Sequence, residues 1–410
     1  MEKTIKETRE LPVKEEFDLI VCGGGIAGIA AALAGVRQGM KTMLIEKSTM
    51  LGGLATLGLI NWYEPVCDGE GRLMNTGIAE ELLLLSALHG YSSMGEQWKA
   101  RFQNKSPDFK PANKTPRYDN RFNPMVYALL LNELTIKEGI ELRYDMIASY
   151  PVMEGKTCKG IITESTSGRE FFPCKVVVDA TGDADIASRA GIPCRFGSNY
   201  LSYWGSGCTV SSIEKTLKIK DMIALNDSFF KFGSDMNGKG HPEKYPFITG
   251  LTNEERSEYI RQGQNGLLNK IKTKPENENC LYTLPGMIQL RMTRCIIGRD
   301  TFKTIDGNHY ETSIGAASDF RNTGRHYEFP FGILFNDDYP NLLAAGRVVS
   351  AEGDGWEMTR PIPSAALTGE AAGIAASLMA KQQKGAPELK VKEVQTLLEK
   401  NNVILHFTNK

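Results

Sequence analysis

Three widely separated stretches carry the hydrophobic pattern of a parallel, doubly wound sheet. Phe17 to Cys22 (FDLIVC) is a short, nearly continuous apolar run of strand character, followed at once by glycines and then by an Ala-rich helical stretch to Gln38. Lys41 to Ile45 (KTMLI) supplies a second strand ending on Glu46, so residues 17–46 fit one βαβ unit of about 30 residues. Asn123 to Gly139 reads as a helix with Tyr127, Leu130, Leu131 and Leu134 on one face. Strand-like runs follow at Glu141–Tyr144 and Gly160–Glu164, and Lys175–Val178 enters another glycine turn. The third stretch is Asn341–Ala345 (NLLAA), a buried-strand run, then Gly346, an irregular loop and an Ala-rich helix from Ser364 to Ala380.

Two insertions of different composition separate these pieces. Residues 57–122 hold aromatic and polar loops and an apolar helix at Ile78–Leu88, and 196–340 mix short strands with a Lys-, Asn- and Gly-rich stretch. The expected organisation is a cofactor-binding body built from 1–56, 123–195 and 341–385. A cap at 57–122, a substrate domain at 196–340 and a C-terminal helix and tail at 386–410 complete it. The fold class is α/β, a doubly wound Rossmann-like domain with an inserted α/β substrate or cap domain.

Composition narrows the function. The 410 residues are 41% hydrophobic and 24% charged, an ordinary globular balance. With 48 Lys plus Arg against 49 Asp plus Glu, no bulk field would hold a nucleic-acid backbone or an acidic membrane. The charged, mixed-sign start has no secretory pattern, which sets a cytoplasmic expectation, and no apolar run approaches the roughly 20 residues of a membrane span. The eight cysteines include no Cys-x-x-Cys pair and no adjacent His, so no metal site is expected from them. Nucleophile-elbow, Walker and His-Glu-x-x-His motifs are absent from the sequence.

Gly23, Gly25 and Gly28 form Gly-x-Gly-x-x-Gly where the first strand meets its helix, with Ile26 and Ala27 opening that helix. Gly23 permits the tight turn, Gly25 lets the backbone approach a pyrophosphate, and Gly28 lets helix and strand pack closely. The helix start presents unpaired N–H groups to the phosphates, and Glu46 is placed to accept from ribose hydroxyls. The fingerprint alone does not separate NAD from FAD. A second glycine pair, Gly52-Gly53-Leu54-Ala55-Thr56, wraps a longer cofactor, and Ala180-Thr181-Gly182 ends a buried strand where small residues let a dinucleotide cross the sheet edge. Gly346-Arg347, Asp354 and Pro363-Ser364 then follow in the third stretch.

On these motifs the chain resembles the FAD-dependent oxidoreductase family whose flavin domain is like that of glutathione reductase and of the fumarate reductase and succinate dehydrogenase flavoproteins. Further marks are Leu284–Arg299, His326–Pro330 and Gly369-Glu370-Ala371-Ala372-Gly373. The resemblance implies extended, non-covalently bound FAD. Gly23, Gly25, Gly28, Glu46, Lys47, Gly53, Ala55 and Thr56 would line its adenosine and pyrophosphate half. Met146 or Ile147 would offer backbone to the adenine, Asp354 a contact to a ribityl hydroxyl, and Pro363, Ser364 and Ala365 a helix N-terminus to the pyrimidine edge. Relatives carry a His in the loop holding Glu352-Gly353-Asp354-Gly355-Trp356; its absence removes support for covalent attachment.

The expected chemistry is hydride transfer between a small organic substrate and the flavin, completed by a further electron donor or acceptor. An NAD(P)H-dependent flavin reductase and a flavin-binding electron-transfer scaffold are the alternatives. Arg360 is the first candidate to meet substrate. Arg291 and Arg294, on one face if their segment is helical, are either an anion clamp or a structural salt bridge. His326 is either a proton donor or a packed structural histidine.

Overall fold

The computed structural model describes residues 5–96, 98, 117–226, 230–305 and 307–407, so positions 97 and 99–116 of the expected 57–122 insertion lie outside the described residues. A seven-stranded sheet carries the architecture. Its strands are β1 (Phe17–Cys22), β2 (Thr42–Ile45), β3 (Glu141–Arg143), β4 (Ile147–Glu154), β5 (Thr157–Ser165), β6 (Gly168–Asp179) and β7 (Leu342–Ala344). The order is β3-β2-β1-β6-β5-β4, with β7 also paired to β6. All pairs on the β3, β2, β1, β6 and β7 side are parallel, whereas β4, β5 and the first half of β6 form an antiparallel meander. β6 serves both parts: Gly168–Pro173 pairs with β5, and Cys174–Asp179 runs parallel to β1. The continuous apolar character of β1 follows, because both of its faces are covered.

The main helices are α1 (Ile26–Arg37), α2 (Ile78–Ser86), α3 (Pro124–Lys137), α4 (Asn253–Ile271), α5 (Ile362–Gln382) and α6 (Val391–Lys400). α3 starts where its sequence requires: the Asn123 side chain accepts from the N–H groups of Met125 and Val126, with Pro124 in the first turn. α5 crosses α1 at backbone distance. A Cβ on Gly369 would lie 2.1 Å from the Ala27 carbonyl oxygen, and one on Gly373 would lie 2.3 Å from that of Ala31. This contact sets the third sequence segment against the first. Glu370, buried in α5, accepts the Ile78 N–H at 2.8 Å and satisfies the otherwise uncapped start of α2.

Two apolar clusters divide the span 196–340. Leu201, Tyr203, Phe230, Ile248, Tyr259, Leu267 and Leu290 form a separate core, while side chains from Cys295 to Phe335 join the main core with the sheet. Tyr63, Val66, Ile78, Leu82 and Leu83 of the first insertion are buried in that main core as well. The segment 284–293 is not helical, which corrects the basis for setting Arg291 and Arg294 on one face; Arg294 instead opens a short strand, Arg294–Ile296, paired antiparallel with Cys194–Phe196. Among the described residues no helix is long and apolar enough to cross a membrane.

Replacing Gly369 by Leu forces α1 and α5 apart. The substitution is expected to lower unfolding stability by roughly 1–3 kcal/mol or more, measured by chemical denaturation; an unchanged midpoint would contradict the close crossing.

Candidate active site

The first glycine turn has the geometry of a pyrophosphate cradle. A Cβ on Gly28 would stand 1.8 Å from the Gly23 carbonyl oxygen, so only glycine lets α1 seat against β1. At Gly25 the reverse holds: a Cβ would meet no atom within 4 Å, and the backbone there faces open space at the start of α1. The second glycine pair closes on the first, since the Gly52 N–H donates to the Gly24 carbonyl at 2.8 Å and a Cβ on Gly53 would be 3.2 Å from Gly25 Cα. Leu54, Ala55 and the buried Thr56 continue from this turn. Glu46 directly follows β2, with one carboxylate oxygen on the Gly24 N–H and the other on the Ser48 N–H, each at 2.7 Å, and each oxygen keeps acceptor capacity for ribose hydroxyls. The Met146 N–H donates to the Glu46 carbonyl, which brings Met146 and Ile147 beside this strand end. Ala180 packs beneath the turn, 3.3 Å from where a Gly28 Cβ would be.

Arg347, directly after Gly346, ties three segments together. Its guanidinium donates to the Gly182 carbonyl, to the Leu290 carbonyl at 2.6 Å and to the Asp183 carboxylate at 2.9 Å. Asp183 also binds Arg256 at 2.6 Å and the Thr293 hydroxyl at 2.8 Å, and these cations hold its carboxyl well below the usual range against the opposing effect of burial. Lys47 adds a further positive charge facing it. Arg347 is thus a tie as well as a lining residue.

A cavity of about 110 Å³ opens above this tie, several times the space one water needs. Leu54, Ala55, Ile60 and Glu64 form its wall from the first segment, Ser202, Trp204 and Gln289–Arg291 its wall from the inserted unit, and Arg347, Arg360 and Ile362 its wall from the third. Two hydrogen bonds fasten the inserted wall: Gln289 Nε2 donates to the Gly58 carbonyl at 2.6 Å and the Trp204 N–H to Gln289 Oε1 at 2.9 Å. The start of α5 faces the cavity through Ile362, with Pro363, Ser364 and Ala365 in the same turn.

The candidates for chemistry separate clearly. Arg360 and Arg291 come together in the cavity. Arg360 is held by Glu357, with Nε to carboxylate 2.9 Å. Arg291 donates to the Met236 carbonyl at 3.3 Å and stacks over Tyr200 at 4.8 Å, with no carboxylate at ion-pair distance among the described residues; burial and the neighbouring Arg360 charge push its pKa down. Arg294 is elsewhere, paired with Asp185 at 2.7 Å and with Ser188, so it takes the structural alternative. His326 lies buried in the strand His326–Pro330, its ring 3.8 Å from that of Phe407, and does not line the cavity. Asp354 has its carboxylate committed to Arg321 through two 2.7 Å contacts.

The residue that sequence reasoning missed is Glu64. It is buried in the cavity wall, accepts the Ile362 N–H at 2.9 Å, and its carboxyl is pushed up to about 7 by burial, offset in part by that N–H and the Arg360 charge. Nothing in the local sequence, Trp62-Tyr63-Glu64-Pro65, marks it.

Comparison with known proteins gives this geometry its context. The model of the FAD-dependent oxidoreductase family matches residues 18–290 and 252–398. The chain belongs to the FAD-dependent oxidoreductase family. FAD is accordingly its cofactor, and the open backbone at Gly25, the Glu46 carboxylate and the small residues at Ala180 and Gly182 fit it. Among curated relatives of this flavoprotein, the tRNA uridine 5-carboxymethylaminomethyl modification enzyme MnmG of a Nitratiruptor species is 28% identical over 197 residues, 46% of this chain and 29% of the relative. An NADH:acrylate oxidoreductase of Vibrio harveyi is 36% identical over 76 residues, 18% of this chain and 8% of the relative. The matched stretch therefore spans less than a third of either relative. In fold, the flavoprotein is similar to p-nitrophenol 4-monooxygenase PnpA from Pseudomonas putida DLL-E4, with TM-score 0.50, 12% identity and coverage of 93% of this chain and 83% of that one.

Two buried carboxyls give the oxidoreductase a readable pH dependence. Glu64 and Glu370 are both raised from an ordinary 4.5 to about 7, chiefly by burial. The folded state holds protons that the unfolded chain has released, so the contribution to stability is full below about pH 4.5 and is lost as pH rises to about 7. Denaturation midpoints are expected to fall between about pH 4.5 and 7. Glu64→Gln and Glu370→Gln should each flatten that slope, and a midpoint rising across this window would contradict the assignment.

Proposed function

We propose that the protein carries out two-electron oxidation or reduction of a small organic acid, bound through its carboxylate at Arg291 and Arg360. The observation that carries this reading is Arg291: a half-buried guanidinium that opens on a cavity and has no carboxylate partner among the described residues. Removing such a charge from water is costly unless an anion meets it, and a guanidinium offers a carboxylate two parallel hydrogen bonds. Arg360, pinned by Glu357, adds positive potential without needing to move. The name of the acrylate oxidoreductase relative points to the same substrate class, an unsaturated carboxylate.

When bound, FAD supplies the two-electron acceptor or donor. The protein's own part is to orient the acid, exclude water and manage the proton. Ile60, Leu54 and Ile362 give the cavity apolar walls, and Trp204 closes it from the inserted unit. Glu64, with a pKa of about 7 and a fixed hydrogen bond to the first turn of α5, can give or take a proton at neutral pH. When hydride adds to one end of a substrate double bond, the atom at the other end takes its proton from Glu64, and in the opposite direction Glu64 receives it. A separate electron donor or acceptor completes the cycle.

Small carboxylates are expected to perturb the bound flavin's absorption on titration, and their neutral amides are not. Arg291→Met should weaken carboxylate binding by about 10- to 100-fold while retaining flavin, the loss of a charge-assisted pair worth about 1.5–3 kcal/mol. Glu64→Gln should preserve binding but slow anaerobic reduction or reoxidation by substrate and remove its pH dependence near neutrality. Equal binding of acids and amides, or an Arg291→Met protein that binds acids normally, would refute the reading.

A further inference from the structure

Away from the cavity, two histidines far apart in the chain converge on one buried carboxylate. Glu328, on the strand His326–Pro330, is 1% exposed. Its oxygens face His309 Nδ1 at 3.3 Å and His406 Nδ1 at 3.1 Å, and they accept the N–H groups of Tyr310 at 2.8 Å and Phe407 at 3.3 Å. Among the described residues no lysine or arginine pairs with this carboxylate; its only ion-pair partners are the two imidazoles. One ligand atom from each of the three residues can be chosen so that all lie within 4.8 Å of one another.

We infer that His309, Glu328 and His406 form a binding site for a divalent first-row transition ion of the zinc class. A buried carboxylate without a permanent cation is costly, and a divalent ion held between it and the two imidazoles would supply that charge. The oxygen-to-Nδ1 separations of 3.1 and 3.3 Å are longer than the ~2.8 Å of a charge-assisted hydrogen bond. Taken singly, Oε1 to His309 and Oε2 to His406, each is close to the edge of a tetrahedron with bonds of about 2.0–2.1 Å, roughly 3.3 Å. Two borderline imidazole nitrogens beside one carboxylate make a donor set suited to zinc, cobalt or nickel, whereas magnesium and calcium take all-oxygen shells. The Tyr310 and Phe407 N–H groups steady the ligating carboxylate, the role outer-shell donors play in metal sites. Both histidine rings reach solvent, which gives the ion an entry path and leaves its remaining position to water.

The site would fasten the C-terminal tail to the main core. The tail is already seated there, with the Ser313 hydroxyl donating to the Leu405 carbonyl at 2.6 Å and the Ala316 N–H to the Ile404 carbonyl at 3.0 Å. An ion at Glu328 adds a bond from His406 and one from His309, so metal binding and tail docking become one equilibrium.

The test is titration of the metal-free, FAD-loaded full chain with Zn²⁺ and, separately, Co²⁺. The expected result is one ion per chain, cobalt d–d absorption bands, and a zinc-dependent rise in the thermal midpoint. His309→Ala and His406→Ala should each weaken binding more than about tenfold with flavin content unchanged. Cys208 and Cys280, which face each other across a strand pair, are the competing zinc ligands, and Cys280→Ser should leave the titration as in the wild type. No uptake, or uptake that persists in both histidine variants or vanishes in Cys280→Ser, would overturn the inference. Flavin content, read in the same samples, keeps this outcome separate from the redox reading.

Discussion

The architecture depends on the ion pair between Asp183 and Arg347. Asp183 follows the glycine turn at the end of β6, Arg347 follows β7, and their contact is bracketed by hydrogen bonds to the Gly182 and Leu290 carbonyls. Arg256 of α4 and Thr293 bind the same carboxylate. One buried charge thereby fixes the sheet edge, the inserted unit and the third segment relative to one another. Such a pair is weak evidence of net stability, because desolvation opposes it. Its consequence here is geometric: the cavity walls from the three segments are held in fixed positions relative to one another.

The glycine turn and the cavity use different physics. Around Gly25 and Gly28 the determining quantity is space, with side chains absent so that backbone can approach backbone or ligand. In the cavity it is charge in a poorly solvated place, where an unpaired Arg291, a pinned Arg360 and a neutral-to-anionic Glu64 have effects they would not have in water. The start of α5 joins the two regions, since the same turn that faces the flavin's expected position gives its Ile362 N–H to Glu64. In the proposed reaction, proton and electron chemistry share one helix end.

Local patterns made the cofactor body legible. FDLIVC followed by glycines is β1 from Phe17 to Cys22, and NLLAA gives β7 within one residue at each end, because both are short apolar runs bounded by turn residues. The glycine spacing carries its meaning locally too, since each missing side chain acts on residues a few positions away. What was hidden depends on long-range pairing. Glu64 stands out only because a helix that begins at Ile362 meets it, Arg294 is structural only because Asp185 lies opposite, and His309, Glu328 and His406 converge only after the tail has docked. The segment around Arg291 has helix-compatible spacing, yet its backbone is spent on the Asn199 side chain, which accepts from the Arg291 and Met292 N–H groups.

The most direct measurement is the visible absorption spectrum of the purified protein, with flavin quantified against protein before and after denaturation and removal of the precipitate. One FAD per chain, released intact into the supernatant, is the expected result. A colourless protein that also fails to take up added FAD would contradict it.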